Sequence, residues 1–181
     1  GRPLPMVKVR IITEKGYETN GQACGEIEIK SPFLCSESMS VPGTRTEDGY
    51  YPTGDIGYMD EKGFLYLVGR KHDMIISGGE NIYPVQIENF LSKYPKIKDV
   101  AVIGLADPRL GEITAAIIET KDGMECTEDE INEFCKELPR YKRPRRIIFE
   151  DVPRNATGKI EKPLLRKKHK SDNLVAAENN A

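Results

Sequence analysis

Gly69-Arg70-Lys71-His72-Asp73-Met74-Ile75-Ile76-Ser77-Gly78-Gly79-Glu80-Asn81-Ile82-Tyr83-Pro84 is where the texture of this sequence changes. Before it, apolar and polar residues alternate at period two in Met6-Val7-Lys8-Val9-Arg10-Ile11-Ile12 and in Glu26-Ile27-Glu28-Ile29-Lys30, as half-buried strands do. Phe64-Leu65-Tyr66-Leu67-Val68 follows the turn signal Asp60-Glu61-Lys62-Gly63 and closes a hairpin with Gly57-Tyr58-Met59. Residues 36–50, rich in Ser, Gly, Thr and acidic side chains, read as a surface loop.

After the quoted stretch, helices and strands mix. Pro84 opens a helix in which Ile87, Phe90, Leu91 and Tyr94 recur at helical spacing, and Pro95 is expected to end it. Runs 99–105 and 112–119 read as strands. Thr127-Glu128-Asp129-Glu130 is a capping-box pattern that opens a second helix burying Ile131, Phe134, Cys135 and Leu138. Ile147-Ile148-Phe149 is a further short strand, and a last helix starts near Lys162-Pro163. The fold class expected is α+β: a small domain with an antiparallel sheet and helices, preceded by a β-rich part of another domain. The boundaries expected are 1–71, 72–170 and a disordered tail over 171–181.

The 181 residues are 38% hydrophobic and 31% charged, as in a soluble globular protein. A net charge of −2 gives no global electrostatic reason for nucleic-acid binding. The longest apolar runs are far too short to span a bilayer. Cys24, Cys35, Cys126 and Cys135 show no C-x-x-C pair, and with only His72 and His169 no zinc motif can be assembled, so no metal site is expected. Reduced thiols and a cytoplasmic location are the expectation. The basic run Arg166-Lys167-Lys168-His169-Lys170 reads as a solvated helix end, with peripheral membrane contact left open. Gly1-Arg2-Pro3-Leu4-Pro5 runs straight into a strand pattern without an initiator Met, so the chain reads as part of a longer one.

Three stretches carry candidate chemistry. In Tyr51-Pro52-Thr53-Gly54-Asp55 an Asp after a tight Gly turn could accept two hydrogen bonds from a ribose diol, or simply close a turn. In the stretch quoted first, Arg70 offers a rigid fork for phosphate or ribose oxygens. Gly78-Gly79 would let a ligand approach the backbone, or form the tip of a hairpin, which the spacing alone favours. In Pro153-Arg154-Asn155-Ala156-Thr157-Gly158-Lys159-Ile160 a loop lysine is a mobile point charge suited to phosphate, or an ordinary exposed lysine. No G-x-x-x-x-G-K-[ST] phosphate loop occurs.

Together and in this order the three stretches resemble the adenylate-forming superfamily of acyl-CoA synthetases, peptide-synthetase adenylation domains and luciferases. Thr53-Gly54-Asp55 is similar to its ribose-binding aspartate motif, Gly69-Arg70 through Gln86-Ile87-Glu88 to its hinge and glycine loop, and Asn155-x-x-Gly158-Lys159 to its C-terminal lysine motif. The resemblance implies that Asp55 holds ribose hydroxyls and that Arg70 contacts ribose or phosphate. It makes His72 the hinge, lets Gly78 and Gly79 line a pantetheine channel, and gives Lys159 to adenylation. His72 stands where the family usually carries Asp or Lys, and Gln86 where Glu is common.

The implied activity is that of the C-terminal part of an AMP-forming acyl-CoA ligase acting on a fatty or related carboxylic acid. It uses Mg-ATP and coenzyme A, with no Mg ligand in this stretch, and its own N-terminal domain is its partner. The isolated chain is expected to be inactive. An adenylation domain that loads a carrier protein's phosphopantetheine, and a fragment acting only as a binding module, stay open. The acid itself is not legible.

Overall fold

The computed structural model describes residues 1–16, 18–19, 21–34 and 45–178. Residues 36–44 of the expected loop, Cys35 and residues 179–181 lie outside the described residues. The chain divides into two compact units, Gly1–His72 and Asp73–Ala181.

The first unit is one five-stranded antiparallel sheet. Its strands are β1 (Lys8–Ile12), β2 (Glu18–Thr19), β3 (Gly21–Lys30), β4 (Tyr51–Met59) and β5 (Leu65–Arg70), in spatial order β2-β1-β3-β4-β5. Period-two alternation sends Ile11, Ile27, Ile56 and Val68 inward, all buried. Glu28, the one buried acid among the described residues, stands opposite Arg10 and accepts its guanidinium at 2.6 Å. The predicted turn closes β4 onto β5: the Asp60 carboxylate accepts the backbone N–H groups of Lys62 and Phe64 at 2.9 and 2.8 Å.

The second unit is a sheet with helices on both faces. In chain order it contains β6 (Ile75–Ser77), β7 (Glu80–Ile82), α1 (Pro84–Leu91), β8 (Ile97–Asp107), β9 (Gly111–Thr120), α2 (Glu128–Phe134), β10 (Arg146–Phe149) and α3 (Lys162–Glu178). β9 is central: β8 pairs antiparallel along one side, while β6 and β10 share the other. The β9–β10 pair is parallel, because the chain crosses over through α2 before returning.

Val100-Ala101-Val102-Ile103 is apolar without alternation, and it makes a strand buried on both faces. Val100, Val102, Ala116 and Ile118 enter one core with Ile87 and Leu91 of α1, Ile131 of α2 and Cys135. Ala101, Ile103, Leu105, Ala115 and Ile117 enter another with Val152 and Leu165 of α3. Each fully buried Ile or Leu contributes about 1.5–3 kcal/mol, so these two cores hold the three layers together.

Helix ends follow local chemistry, and three expectations need correction. α2 forms the predicted capping box, with Thr127 accepting from Glu130 N and Glu130 accepting from Thr127 N. α1 starts at Pro84 but stops at Leu91 rather than running to Pro95. There the hydrogen bonds shorten to three-residue turns, Lys93 N to Phe90 O and Tyr94 N to Leu91 O. α3 continues to Glu178, past Ser171, where a tail is expected from the sequence. The third correction concerns Thr53-Gly54-Asp55, which lies within β4 rather than in a terminal turn.

Candidate functional site

Asp55 owes its position to a bulge. Opposite β3, the register slips between the pairs Glu26–Ile56 and Glu28–Pro52, so extra residues of β4 arch outward. Gly54 takes φ +75°, which a side chain would resist although a Cβ there would meet nothing within 4 Å. The Thr53 hydroxyl pins the arch, donating to Ile27 O at 2.8 Å and accepting from Asp55 N at 3.1 Å. Asp55 then stands opposite Arg70 at the end of β5, with Arg70 Nε 3.5 Å from Asp55 Oδ1. Arg70 is 68% exposed and Asp55 36% exposed, so both keep hydrogen-bonding capacity turned to solvent.

Immediately after Arg70, the 3₁₀ turn Lys71–Asp73 ends the first unit and begins the second. Its two flanks are tied within different units. Lys71 Nζ bonds Glu26 of β3 at 2.6 Å, and Arg166 of α3 bonds Asp73 at 2.8 Å. His72 between them is exposed.

Gly78 and Gly79 form the hairpin tip that the spacing favours. Ser77 pairs with Glu80, and both glycines have positive φ, +59° and +87°, the mark of a two-residue primed turn. Gly78 N donates to Leu110 O at 2.9 Å, which docks the tip beside the β8–β9 turn. The 3₁₀ turn Arg140–Lys142 packs on neighbouring β7, and Lys142 bonds Gln86 at 2.7 Å.

Lys159 lies in a loop held by Arg154, Asn155 and Thr157, whose supporting bonds the sequence does not reveal. Asn155 Oδ1 accepts from Thr157 N at 3.0 Å, Thr157 Oγ1 at 2.7 Å and Lys159 N at 2.9 Å. Gly158 supplies φ +80° for the return, and Asn155 N donates to Lys159 O at 2.9 Å. Arg154 forks onto Asp99 of β8 with bonds of 2.6 and 2.9 Å, and donates its third nitrogen to Gly158 O. Lys159 itself is exposed, and its ammonium has no partner among the described residues.

The two loops of the second unit sit at opposite ends of one ladder. The lysine loop attaches at Asp99, which pairs with Glu119, while the glycine hairpin attaches where Asp107 pairs with Gly111. Eight residues at about 3.4 Å each separate these points by about 27 Å. So Asp55 and Arg70 come together in the first unit, and Lys159 and the glycine pair are held apart in the second. Among the described residues there is no group of three or more His, Cys, Asp or Glu side chains that could hold a metal ion. No described helix is long and apolar enough to cross a membrane.

Residues 86–159 match the family model of the AMP-binding enzyme C-terminal domain. The chain is 48% identical over 150 residues to a long-chain-fatty-acid–CoA ligase, FadD13, of Mycobacterium tuberculosis, covering 80% of this chain and 30% of that protein. It is 42% identical over 172 residues to a 2-succinylbenzoate–CoA ligase of Bacillus mycoides, covering 92% and 35%. Among solved structures, ATP-bound MatB from Rhodopseudomonas palustris matches with a TM-score of 0.87 and 33% identity, over 94% of this chain and 35% of that one. The chain thus spans about a third of the length of the relatives it matches.

Proposed function

This chain belongs to the adenylate-forming enzymes, and on that premise we propose that it is part of an AMP-forming acyl-CoA ligase, acting on a fatty or related carboxylic acid. The names of its relatives, which are CoA ligases for fatty and aromatic acids, support coenzyme A as the acceptor. The observation that carries the reading is Lys159, an exposed ammonium with no partner among the described residues, on a loop held by backbone bonds at Asn155, Thr157, Gly158 and Lys159.

The chemistry runs in two steps. A carboxylate oxygen attacks the α-phosphorus of ATP, and pyrophosphate leaves, giving an acyl-adenylate. The thiolate of coenzyme A then attacks the acyl carbon and AMP leaves with the electron pair, giving a thioester. The first step brings anion to anion, and Lys159 is the cation proposed to lie between them. One unit charge about 4 Å away at an effective dielectric near 20 is worth about 4 kcal/mol. At 1.36 kcal/mol per decade, that amounts to a factor on the order of 10³.

Asp55 is proposed to accept the ribose hydroxyls, and Arg70 to reach ribose or phosphate. Their loose, solvent-facing pair supports this, since neither must abandon a strong bond to take a ligand. In the second step Lys159 must leave and the pantetheine arm must enter. Placing the lysine loop and the Gly78–Gly79 hairpin at opposite ends of one ladder supports the use of two ends of the second unit in turn, with His72 as the pivot. The exposed Arg140 and Arg145, beside or in line with the hairpin along β9, supply positive charge for a phosphate-bearing thiol donor. The location proposed with this activity is the cytoplasm, where thiols such as those of Cys24, Cys126 and Cys135 stay reduced.

The test is pyrophosphate release from ATP by the full-length enzyme across a panel of carboxylic acids, with Lys159→Ala as control. Release that depends on one class of acid and collapses in the variant supports both the activity and the residue. Normal release by Lys159→Ala removes the central assignment.

A further inference from the structure

Two core residues flank the lysine loop: Val152 is buried, and Ile160 packs against the same cluster. Between them residues 154–159 are exposed, and the loop is closed on itself by Asn155 and by the Arg154–Ile160 bridge. These bonds fix the loop's shape. They do not fix its angle to the sheet, because a closed loop anchored at two adjacent points can tilt about the line that joins them.

Among the described residues, one side-chain link, Arg154 to Asp99, joins residues 154–159 themselves to the sheet and opposes that tilt. Asp99 sits on β8 with one carboxylate oxygen already held by Val100 N at 2.9 Å. It takes two bonds from the Arg154 guanidinium, whose third nitrogen reaches the carbonyl of Gly158, the residue before Lys159. A planar guanidinium with all three nitrogens engaged is a rigid spacer between sheet and loop, which a lysine's single ammonium is not. The pair is partly exposed, at 46% and 21%, so it contributes little to stability. Its geometry suits orientation.

We infer that Asp99 and Arg154 are positioning residues for the adenylation step, holding the Gly158–Lys159 peptide at a fixed angle to β8 so that the lysine ammonium meets the reacting phosphate. This rests on Lys159 acting in adenylation as proposed above. Misplacing a reacting group by about 1 Å can cost on the order of a hundredfold in rate. Small changes at Asp99, which touches no substrate in this scheme, therefore act through Lys159.

The experiment uses the full-length enzyme with Asp99→Asn, Arg154→Lys and Arg154→Met, each alone and combined with Lys159→Ala. Adenylation is read by ATP–pyrophosphate exchange, thioester formation by supplying ready-made acyl-adenylate and coenzyme A, and folding by thermal midpoint. Asp99→Asn and Arg154→Met should slow exchange about ten- to a hundredfold, with Arg154→Lys in between, and leave thioester formation within about twofold. Combined with Lys159→Ala, they should add no further loss, since the lysine they position is gone. Losses that multiply with Lys159→Ala, equal losses in both half-reactions, or unchanged exchange each overturn the inference. If Lys159→Ala exchanges normally, the reading beneath it fails as well. If Lys159→Ala is dead while Asp99→Asn is unimpaired, only the clamp fails. Should Arg154→Met not fold, Asp99→Asn and Arg154→Lys keep the charge or the shape of the pair and still decide the question.

Discussion

Asp55 and Arg70 stand directly opposite one another on adjacent antiparallel strands, with the Arg70 Nε 3.5 Å from an Asp55 carboxylate oxygen. They are fifteen positions apart in sequence, in two separate motifs, and β4 and β5 bring them side by side. An exposed pair at this separation contributes less than about 1 kcal/mol to stability. Asp55→Ala in the full-length enzyme should therefore leave the thermal midpoint nearly unchanged while raising KM for ATP at least about tenfold, the loss of roughly one charge-assisted hydrogen bond. A large drop in midpoint with KM unchanged would assign the pair to the fold instead.

Gly79 makes the converse case, because its demand is on the backbone. With φ +87° and nothing within 4 Å of a Cβ, the site has room for a side chain but not the conformation for one. Gly79→Asn should destabilise the chain by a few tenths of a kcal/mol and Gly79→Val by about 1–2 kcal/mol, since Asn tolerates left-handed backbone and β-branched residues do not. If the hairpin also borders the thiol donor's path, Gly79→Leu should slow thioester formation while sparing pyrophosphate exchange. Equal urea midpoints for the Asn and Val variants would remove the primed-turn requirement.

What the sequence made legible was what acts locally. Period two gave β1 and β3, the Asp60–Gly63 turn signal gave β5, the capping box gave the start of α2, and paired glycines gave the hairpin tip. Pro84 marked the start of α1, but nothing nearby marked its end, because Leu91 is followed by shortening hydrogen bonds rather than a breaker. The β4 bulge was not readable, since it depends on the register against β3, and one Gly with positive φ looks the same in a turn. Site residues that belong to a motif were visible as letters. Their supports were not: Asp99 lies fifty-five positions from Arg154, and Glu26 forty-five from Lys71. Ion pairs that close across a sheet leave no periodic trace.

Glu150 and His169 link the end of β10 to α3, with Nε2 2.8 Å from Oε1 and the histidine buried. Burial alone would push the Glu150 carboxyl up, but bonds from Lys168 and His169 outweigh it and hold the group below the ordinary 4.5. A carboxylate lowered in the folded state stabilises fully above its unfolded value and loses that contribution as pH falls through the folded one. The stability gap between the native chain and Glu150→Gln should therefore be widest at neutral pH and shrink below about 4.5, as followed by urea midpoints across pH. A gap that stays constant into acid would show that the ionised form of Glu150 contributes nothing.

His72 sits between two ion pairs that pull its neighbours into different units, Lys71 to Glu26 and Asp73 to Arg166. Each pair restrains one flank of the turn, so a change of backbone angle between the units falls most easily on the residue they leave alone. His72 is exposed, and a side chain there is not what matters; its φ and ψ are. His72→Ala should leave overall turnover within about twofold. His72→Pro fixes φ near −65° and pushes Lys71 out of the helical region that it occupies in the 3₁₀ turn. It should retain one half-reaction and lose at least about tenfold in the other, cutting turnover of acid, ATP and coenzyme A together. Releasing the flanks with Glu26→Gln and Arg166→Met in the same enzyme should recover part of that loss, because rotation can then spread to Lys71 and Asp73. Normal turnover in His72→Pro would move the pivot elsewhere, and a loss that the double release does not relieve would mean the ion pairs do not confine it.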